Sequence, residues 1–248
     1  MDIKQIVERG TILKTISGSH LYGTNTENSD KDCVGVCIPT KDYIIGMYKF
    51  DQLEERTNPS RSNKQNIKTD NDYTCYSLTK FIKLAYDNNP NILEILFVPK
   101  ESIIYCDNLG KHLLEHRKLF VSKGAYYKFM GYAMAQKRKL ITKQPEGLRT
   151  KIVEKYGYDT KHASHLIRLL YFGIEILRTG QLAFPAEHRK YLIQIKNGKW
   201  PLSQIIDKAA YLESYLNESL ESSILPEHPN LEEINRLQIN LIESFWHK

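Results

Sequence analysis

The spacing of apolar residues changes period near Lys118, and that change restricts the chain to a fold built from two unlike halves. Ahead of it, Thr11–Ile16 alternates apolar and polar residues, Cys33–Ile38 is β-branched and stops at Pro39, and Ile92–Val98 is almost wholly apolar and stops at Pro99. Short runs of this kind, ended by proline, predict strands. Between the last two, Ser77–Ala85 has helical periodicity with Ser77 placed to cap it. Residues 54–72 are polar, with almost no apolar anchor, and predict a mobile surface loop. After Leu119 the strand signal fades, and amphipathic segments near 122–142, 160–179, 202–221 and 230–246 follow, separated by Pro and Gly. The expectation is an α+β fold: a head with a mixed β-sheet flanked by helices over residues 1–118, then a C-terminal helical-bundle domain over 119–248.

With 248 residues, 41% hydrophobic and 26% charged, the chain can bury a substantial core, which excludes disorder as the whole answer. A membrane span needs roughly 18 or more apolar residues, and the longest candidate, Leu166–Leu177, is broken by Arg168 and Glu175. The first residues lack the apolar core of a signal peptide, so a cytoplasmic protein without membrane partners is expected. Cys33, Cys37, Cys75 and Cys106 form no CxxC pair and have no histidine at zinc-ligand spacing. They read as reduced, mostly buried thiols rather than a disulfide framework.

Charge is distributed unevenly. Residues 121–200 carry 16 Lys and Arg against 5 Asp and Glu, whereas residues 201–248 carry 3 against 8. A cationic block of this kind suits a polyanionic partner such as nucleotide or nucleic acid, and equally a lysine-rich solvated surface.

The segment richest in chemistry is GSHLYGTNTENSDKDCVGV, residues 18–36. An apolar strand runs into Gly18-Ser19, a polar stretch follows, and Asp30-Lys31-Asp32 opens the next strand. Side chains at i and i+2 of a strand share a face, so both carboxylates can converge on one point and neutralise a hard divalent cation such as Mg²⁺. Gly18 lets the backbone approach a phosphate closely, and Ser19 offers a hydroxyl and an N–H. Asp-x-Asp before a strand also makes solvated Asx turns, and Gly-Ser is a common turn dipeptide, so neither half decides the matter alone.

Taken together, with ten residues between Ser19 and Asp30, the two elements resemble the signature of the DNA polymerase β-type nucleotidyltransferase superfamily. The wording GSHLYGTNTENSDKD is most similar to its RNA-repair-associated, RlaP/YcgL-like predicted nucleotidyltransferases. The resemblance covers most of the chain in outline and is sharpest at residues 17–38, 77–99 and 156–180. It implies a nucleotidyltransferase head, a helical domain closing over the nucleotide, and two Mg²⁺ ions, with Mn²⁺ as a substitute, held by Asp30 and Asp32. It further implies a third metal-side carboxylate on a later strand, for which Ile92–Val98 offers Glu94. A lone acid among apolar neighbours needs a partner; a metal, a basic residue of the helical half or an exposed sheet edge would each serve.

A second constellation lies in residues 156–168. On a helix, Lys161, His165 and Arg168 share one arc opposite a stripe of Ala163, Leu166, Ile167, Leu170, Ile174 and Leu177. Such an arc is commonly a solvated face, but Phe172 shares it, and the Lys-x3-His-x2-Arg-Leu pattern resembles the family's helical-domain motif. That resemblance implies that Lys161 and Arg168 contact triphosphate oxygens, and that His165 orients phosphate or sits near the acceptor hydroxyl. Residues 126–139 interleave aromatic and basic residues, as surfaces for single-stranded nucleic acid do, and as a helix with core aromatics and a basic solvated end also does. Tyr22 and His20, in the segment between Gly18 and Asp30, either touch nucleotide or pack under the loop.

The expected activity is Mg²⁺-dependent transfer of a nucleoside monophosphate from an NTP to an acceptor hydroxyl, with release of pyrophosphate, the acceptor being an RNA 3′ end. Alternatives are nucleotidylation of a small molecule or a protein hydroxyl, and a nucleotide- or RNA-binding module without turnover.

Overall fold

In the computed structural model, which describes residues 2–27, 29–56, 71–142 and 148–247, the alternating part of the chain becomes a five-stranded sheet with helices packed on it. The elements run α1 (Ile3–Gly10), β1 (Thr11–Ile16), α2 (Gly18–Leu21), β2 (Lys31–Cys37), α3 (Lys41–Ile44), β3 (Gln52–Arg56), β4 (Asn71–Ser77), α4 (Leu78–Tyr86), α5 (Pro90–Leu96), β5 (Ile103–Cys106) and α6 (Asn108–Glu115). The strand order is β3-β4-β2-β1-β5. Strands β2 and β4 are parallel, and the other neighbours are antiparallel. Ile12, Leu13, Val36, Cys37 and Cys75 are completely buried in the sheet's core.

Two expectations are corrected here. The polar stretch 54–72 is not a single loop: Gln52–Arg56 and Asn71–Ser77 pair as antiparallel strands, from Gln52↔Tyr76 to Arg56↔Asp72. Its middle, residues 57–70, lies outside the described residues. Strand β3 is the sheet edge, where Glu54, Glu55 and Arg56 discourage pairing with another chain, so a polar sequence is compatible with a strand there. Residues 92–98 are not a strand either, because Pro90–Leu96 is helix α5. Asn89 accepts from Asn91 N–H and Pro90 takes the first turn, both helix-starting devices. The helix buries Ile92, Leu93, Glu94, Ile95 and Leu96, and an apolar run buried all round has no period to tell helix from strand.

The second half is helical, as expected. It contains α7 (Gly124–Thr142), α8 (Leu148–Tyr156), α9 (Thr160–Thr179), α10 (Arg189–Lys196), α11 (Leu202–Glu221) and α12 (Leu231–Trp246). Helix α9 is central, with α7, α10 and α11 packed on it. Its ends are set locally: Asp159 accepts from the N–H groups of Lys161 and His162, and Gly180 closes the helix at φ 66°.

The chain forms two compact units. Residues 2–56, 71–121 and 229–247 make the first, and residues 122–142 and 148–228 the second. A division at 118/119 was expected from the sequence; the division falls at 121/122, and the last helix returns to the first unit. Helix α12 buries Ile234, Leu237, Leu241 and Ile242 and packs on α4 and α6, while Trp246 Nε1 donates to Pro39 O at 3.4 Å. All four cysteines are free, with Cys37 and Cys75 buried and Cys33 and Cys106 partly exposed. No helix among the described residues is long and apolar enough to cross a membrane.

Ser77 caps α4 by accepting from Lys80 N–H at 3.2 Å. Replacing it with alanine leaves that donor unsatisfied, and Ser77→Ala is expected to lower unfolding free energy by about 1 kcal/mol in urea titration.

Candidate functional site

The site is assembled where β1 hands over to β2. Ser17 N–H donates to Asp32 O at 2.8 Å, which holds the end of the first strand against the start of the second. At Gly18 the backbone turns with φ 62°, and a Cβ there would run into the Asp32 carboxylate. Only glycine lets the chain pass this close to the acid in this conformation. The turn then winds on itself through Tyr22 N–H to Gly18 O (3.2 Å) and Thr24 N–H to Ser19 O (2.9 Å). Ser29 Oγ accepts from Thr26 N–H at 2.8 Å, shortly before the chain enters β2 at Asp30-Lys31-Asp32.

Strand register supplies the rest. In the parallel β2/β4 pair, Asp32 lies opposite Asp72. Residues opposite one another on adjacent strands put their side chains on one face. Asp30, Asp32 and Asp72 thereby bring carboxylate oxygens within 4.8 Å of one another, all three partly buried. Three acids this close repel each other, and an all-oxygen donor set is the kind that hard divalent cations take. The residues present therefore fit such an ion.

Asp72 was missed in the sequence because residues 54–72 read as loop. A signal existed: Asp72-Tyr73-Thr74-Cys75-Tyr76 has the same form as Asp32-Cys33-Val34, an acid opening a run of strand-forming residues. Glu94, expected as the third acid, lies on α5, is only 2% exposed and stands outside the acid cluster. Its carboxylate accepts from Tyr22 OH at 2.5 Å. The partner that a buried acid requires thus includes a tyrosine of the glycine turn, and Tyr22 packs inward. On the same turn, His20 has a buried Nε2 without a hydrogen-bond partner among the described residues.

Lys161, His165 and Arg168 all fall on α9, in the second unit. Lys161 is exposed, His165 is partly buried and Arg168 is 6% exposed. The Arg168 guanidinium lies 5.5 Å from the centre of the buried Phe172 ring, so this arc of the helix faces largely inward. His165 Nε2 is buried with no hydrogen-bond partner among the described residues. Burial, reinforced by Arg168, His162, Lys161 and Lys139, pushes the imidazole down to about 3. Burial and Arg168 similarly push His188 down to about 4.

Beside these lies a polar network that the sequence did not disclose. Arg149 NH1 donates to Asp159 at 3.1 Å and lies 2.5 Å from His162 Nε2, while His162 Nδ1 lies 2.8 Å from Gln136 Oε1. It ties α7, α8 and α9 together at the start of α9. Within α7 the aromatic and basic residues divide: Phe129 is core, Tyr127 is 69% exposed, and Lys137 is paired with Glu213 at 2.8 Å.

The acid cluster on paired strands, with a glycine turn against it, is the arrangement expected of a polymerase β-type head. Over residues 2–240 the chain matches the RNA repair pathway DNA polymerase beta family, and it belongs to that family. It is 34% identical over 132 residues to an uncharacterized 38.9 kDa protein from the nrdC-mobD intergenic region of Enterobacteria phage T4; the match takes in 52% of this chain and 38% of the phage protein. A nucleotidyltransferase-like protein from Exiguobacterium sibiricum aligns over 99% of this chain and 75% of its own at 10% identity, with a TM-score of 0.30.

Two measurements probe this geometry. Tyr22→Phe removes a donor from a buried carboxylate, and a loss of about 1.5–3 kcal/mol in stability is expected from chemical denaturation. His165 and His188, both partly buried, impose a pH dependence. Unfolded, they titrate near 6.5, but folded only near 3 and 4. The unfolded chain therefore binds more protons as pH falls below about 6.5, and stability drops across that window. The melting temperature should decline from pH 6.5 toward pH 4, and less steeply in His165→Gln.

Proposed function

We propose that this chain transfers a nucleoside monophosphate from an NTP to the terminal hydroxyl of an RNA 3′ end and releases pyrophosphate. The observation that carries the reading is the convergence of Asp30, Asp32 and Asp72, with carboxylate oxygens within 4.8 Å, in a member of this family. Mg²⁺ or Mn²⁺ held by these three acids would draw charge from the transferring phosphate and lower the acceptor hydroxyl's pKa.

The chain's own groups divide the remaining work. Gly18 allows the triphosphate to approach the backbone, and the Ser19 hydroxyl and neighbouring N–H groups would hold its terminal phosphates. His20 would offer its unpartnered Nε2 on the same turn. Asp72 takes the place that the sequence reading gave to Glu94: it would accept the acceptor's proton as the hydroxyl oxygen bonds to the α-phosphorus. The bond from that phosphorus to the bridging oxygen breaks, and its electron pair leaves with pyrophosphate. Glu94 serves as the structural partner of Tyr22. Within the helical unit, Lys161 is exposed and would be the group available to a phosphate. Arg168 and His165 would act from the interior, shaping the surface on which Lys161 stands. An RNA acceptor is supported by the family's description and by the 16 to 5 excess of basic over acidic residues between 121 and 200.

The test is transfer from labelled NTP with pyrophosphate release. Asp30→Ala and Asp32→Ala should abolish turnover, and Asp72→Asn should lose on the order of 100-fold or more, all with folding intact, since the acids repel one another. Glu94→Gln should lower the melting temperature and leave the rate per folded molecule near that of the unsubstituted protein. An active Asp72→Asn alongside an inactive, well-folded Glu94→Gln would return the third carboxylate to Glu94.

A further inference from the structure

Helices α9 and α11 carry a mixed aromatic and cationic stripe that the transfer chemistry does not use. Lys208, Tyr211 and Tyr215 are spaced i, i+3 and i+7 on α11, and Tyr171 and Arg178 are spaced i and i+7 on α9, so each set shares one side of its helix. The sets meet across the packed pair. Lys208 Nζ lies 5.5 Å from the centre of the Tyr171 ring and 4.7 Å from that of Tyr211. Tyr211 and Tyr215 lie 6.3 Å apart with planes only 29° from parallel, and the Arg178 guanidinium is 5.2 Å from the Tyr215 ring. His188 extends the row by stacking on Tyr171 at 3.9 Å. Lys208 and Arg178 thus flank the stacked Tyr211–Tyr215 pair, one cation at each end.

Exposure and pairing distinguish this stripe from an ordinary solvated face. Tyr211 is 61% exposed, and Arg178 is exposed as well. Among the described residues neither Lys208 nor Arg178 pairs with a carboxylate. Two acids of the same helices are engaged elsewhere: Glu213 with Lys137 at 2.8 Å, and Glu175 with the Ala183 N–H at 2.8 Å. The cations are therefore left over ring faces, where they are weakly held and available to phosphate once a base takes the ring.

We propose that this stripe binds single-stranded RNA, with bases stacked on Tyr211 and Tyr215 and backbone phosphates met by Lys208 and Arg178. The assignment of RNA rests on the function proposed above; the preference for a single strand rests on the stripe itself. Stacking on tyrosine rings needs an unpaired base face, which a duplex does not offer, and a cation at each end of the ring pair can meet the phosphates that flank the stacked bases. The stripe would hold the acceptor strand; the Asp30, Asp32 and Asp72 chemistry belongs to the other unit.

Binding of a labelled single-stranded RNA oligonucleotide to the full chain, followed by fluorescence anisotropy across a salt series, tests the proposal. Tyr211→Ala should weaken binding about tenfold, from the worth of a stacked base, and Tyr211→Phe should bind like the unsubstituted protein, because the ring face is kept. Lys208→Gln should reduce the slope of log affinity against log salt by about 0.7, the share of one phosphate on a single strand. An RNA duplex of equal length should bind at least tenfold more weakly. Unchanged affinity in Tyr211→Ala and in a Tyr211→Ala/Tyr215→Ala double variant, both melting normally, would overturn the stripe. Equal binding of duplex and single strand would do the same. Transfer to a minimal hydroxyl acceptor, measured on the same variants, separates the two readings: it should persist in Tyr211→Ala, and its absence from the unsubstituted protein would count against the transferase reading, not against the stripe.

Discussion

The parallel pairing of β2 with β4 is the contact on which the candidate site depends. It sets Asp32 opposite Asp72, and a one-residue slip would send one of the two acids to the other face of the sheet. The pairing is maintained from behind by burial: Cys37 and Cys75, on these two strands, share a core cluster with Val7 and Phe50. The hydrogen bond with Cys75, and then burial, push the Cys37 thiol up. Apolar packing at one end of the strands thus fixes the position of three repelling acids at the other.

The turn at Gly18 depends on the same register. The Ser17 N–H is bonded to Asp32 O, so the turn follows β2 wherever β2 goes. Tyr22 then anchors the far side of the turn to Glu94 on α5. A buried carboxylate needs such a donor, and a loop with few apolar residues needs such an anchor; this hydrogen bond serves both. In the helical unit, Asp159 serves likewise as helix cap and as acceptor for Arg149, so a local device and a tertiary network share one side chain.

The aromatic and basic residues of the middle of the chain are sorted by packing. The run 126–139 reads from its sequence either as a nucleic-acid surface or as a helix with core aromatics and a basic solvated end; Phe129 is in the core and Lys137 is paired with Glu213. The stripe whose cations have no carboxylate partner among the described residues lies on α9 and α11, whose contributing residues are far apart in sequence. Helical period indicates which residues share a face, but which cations keep a carboxylate partner depends on the helix that packs beside them.

Local physics made much of this protein legible from its sequence. The span of α9 near 160–179, the Ser77 cap of α4 and the i, i+2 spacing that places Asp30 and Asp32 on one face were all readable, because helical period, capping and strand alternation act within a few residues. The glycine turn and the acid pair carried the resemblance to the superfamily, and the wording of residues 18–32 the resemblance to the family that the match over residues 2–240 shows. Tertiary structure alone decided what depended on distant partners. Asp72 joined the acids through strand register, Glu94 was withdrawn from them because an apolar run without period packed as a helix, and α12 returned to the first unit because its apolar stripe found a surface there. Arg168 lies inside because α9 is surrounded by other helices. A stretch of sequence carries its own period and caps, but the side chains that will cover it, or leave it to water, lie elsewhere in the chain.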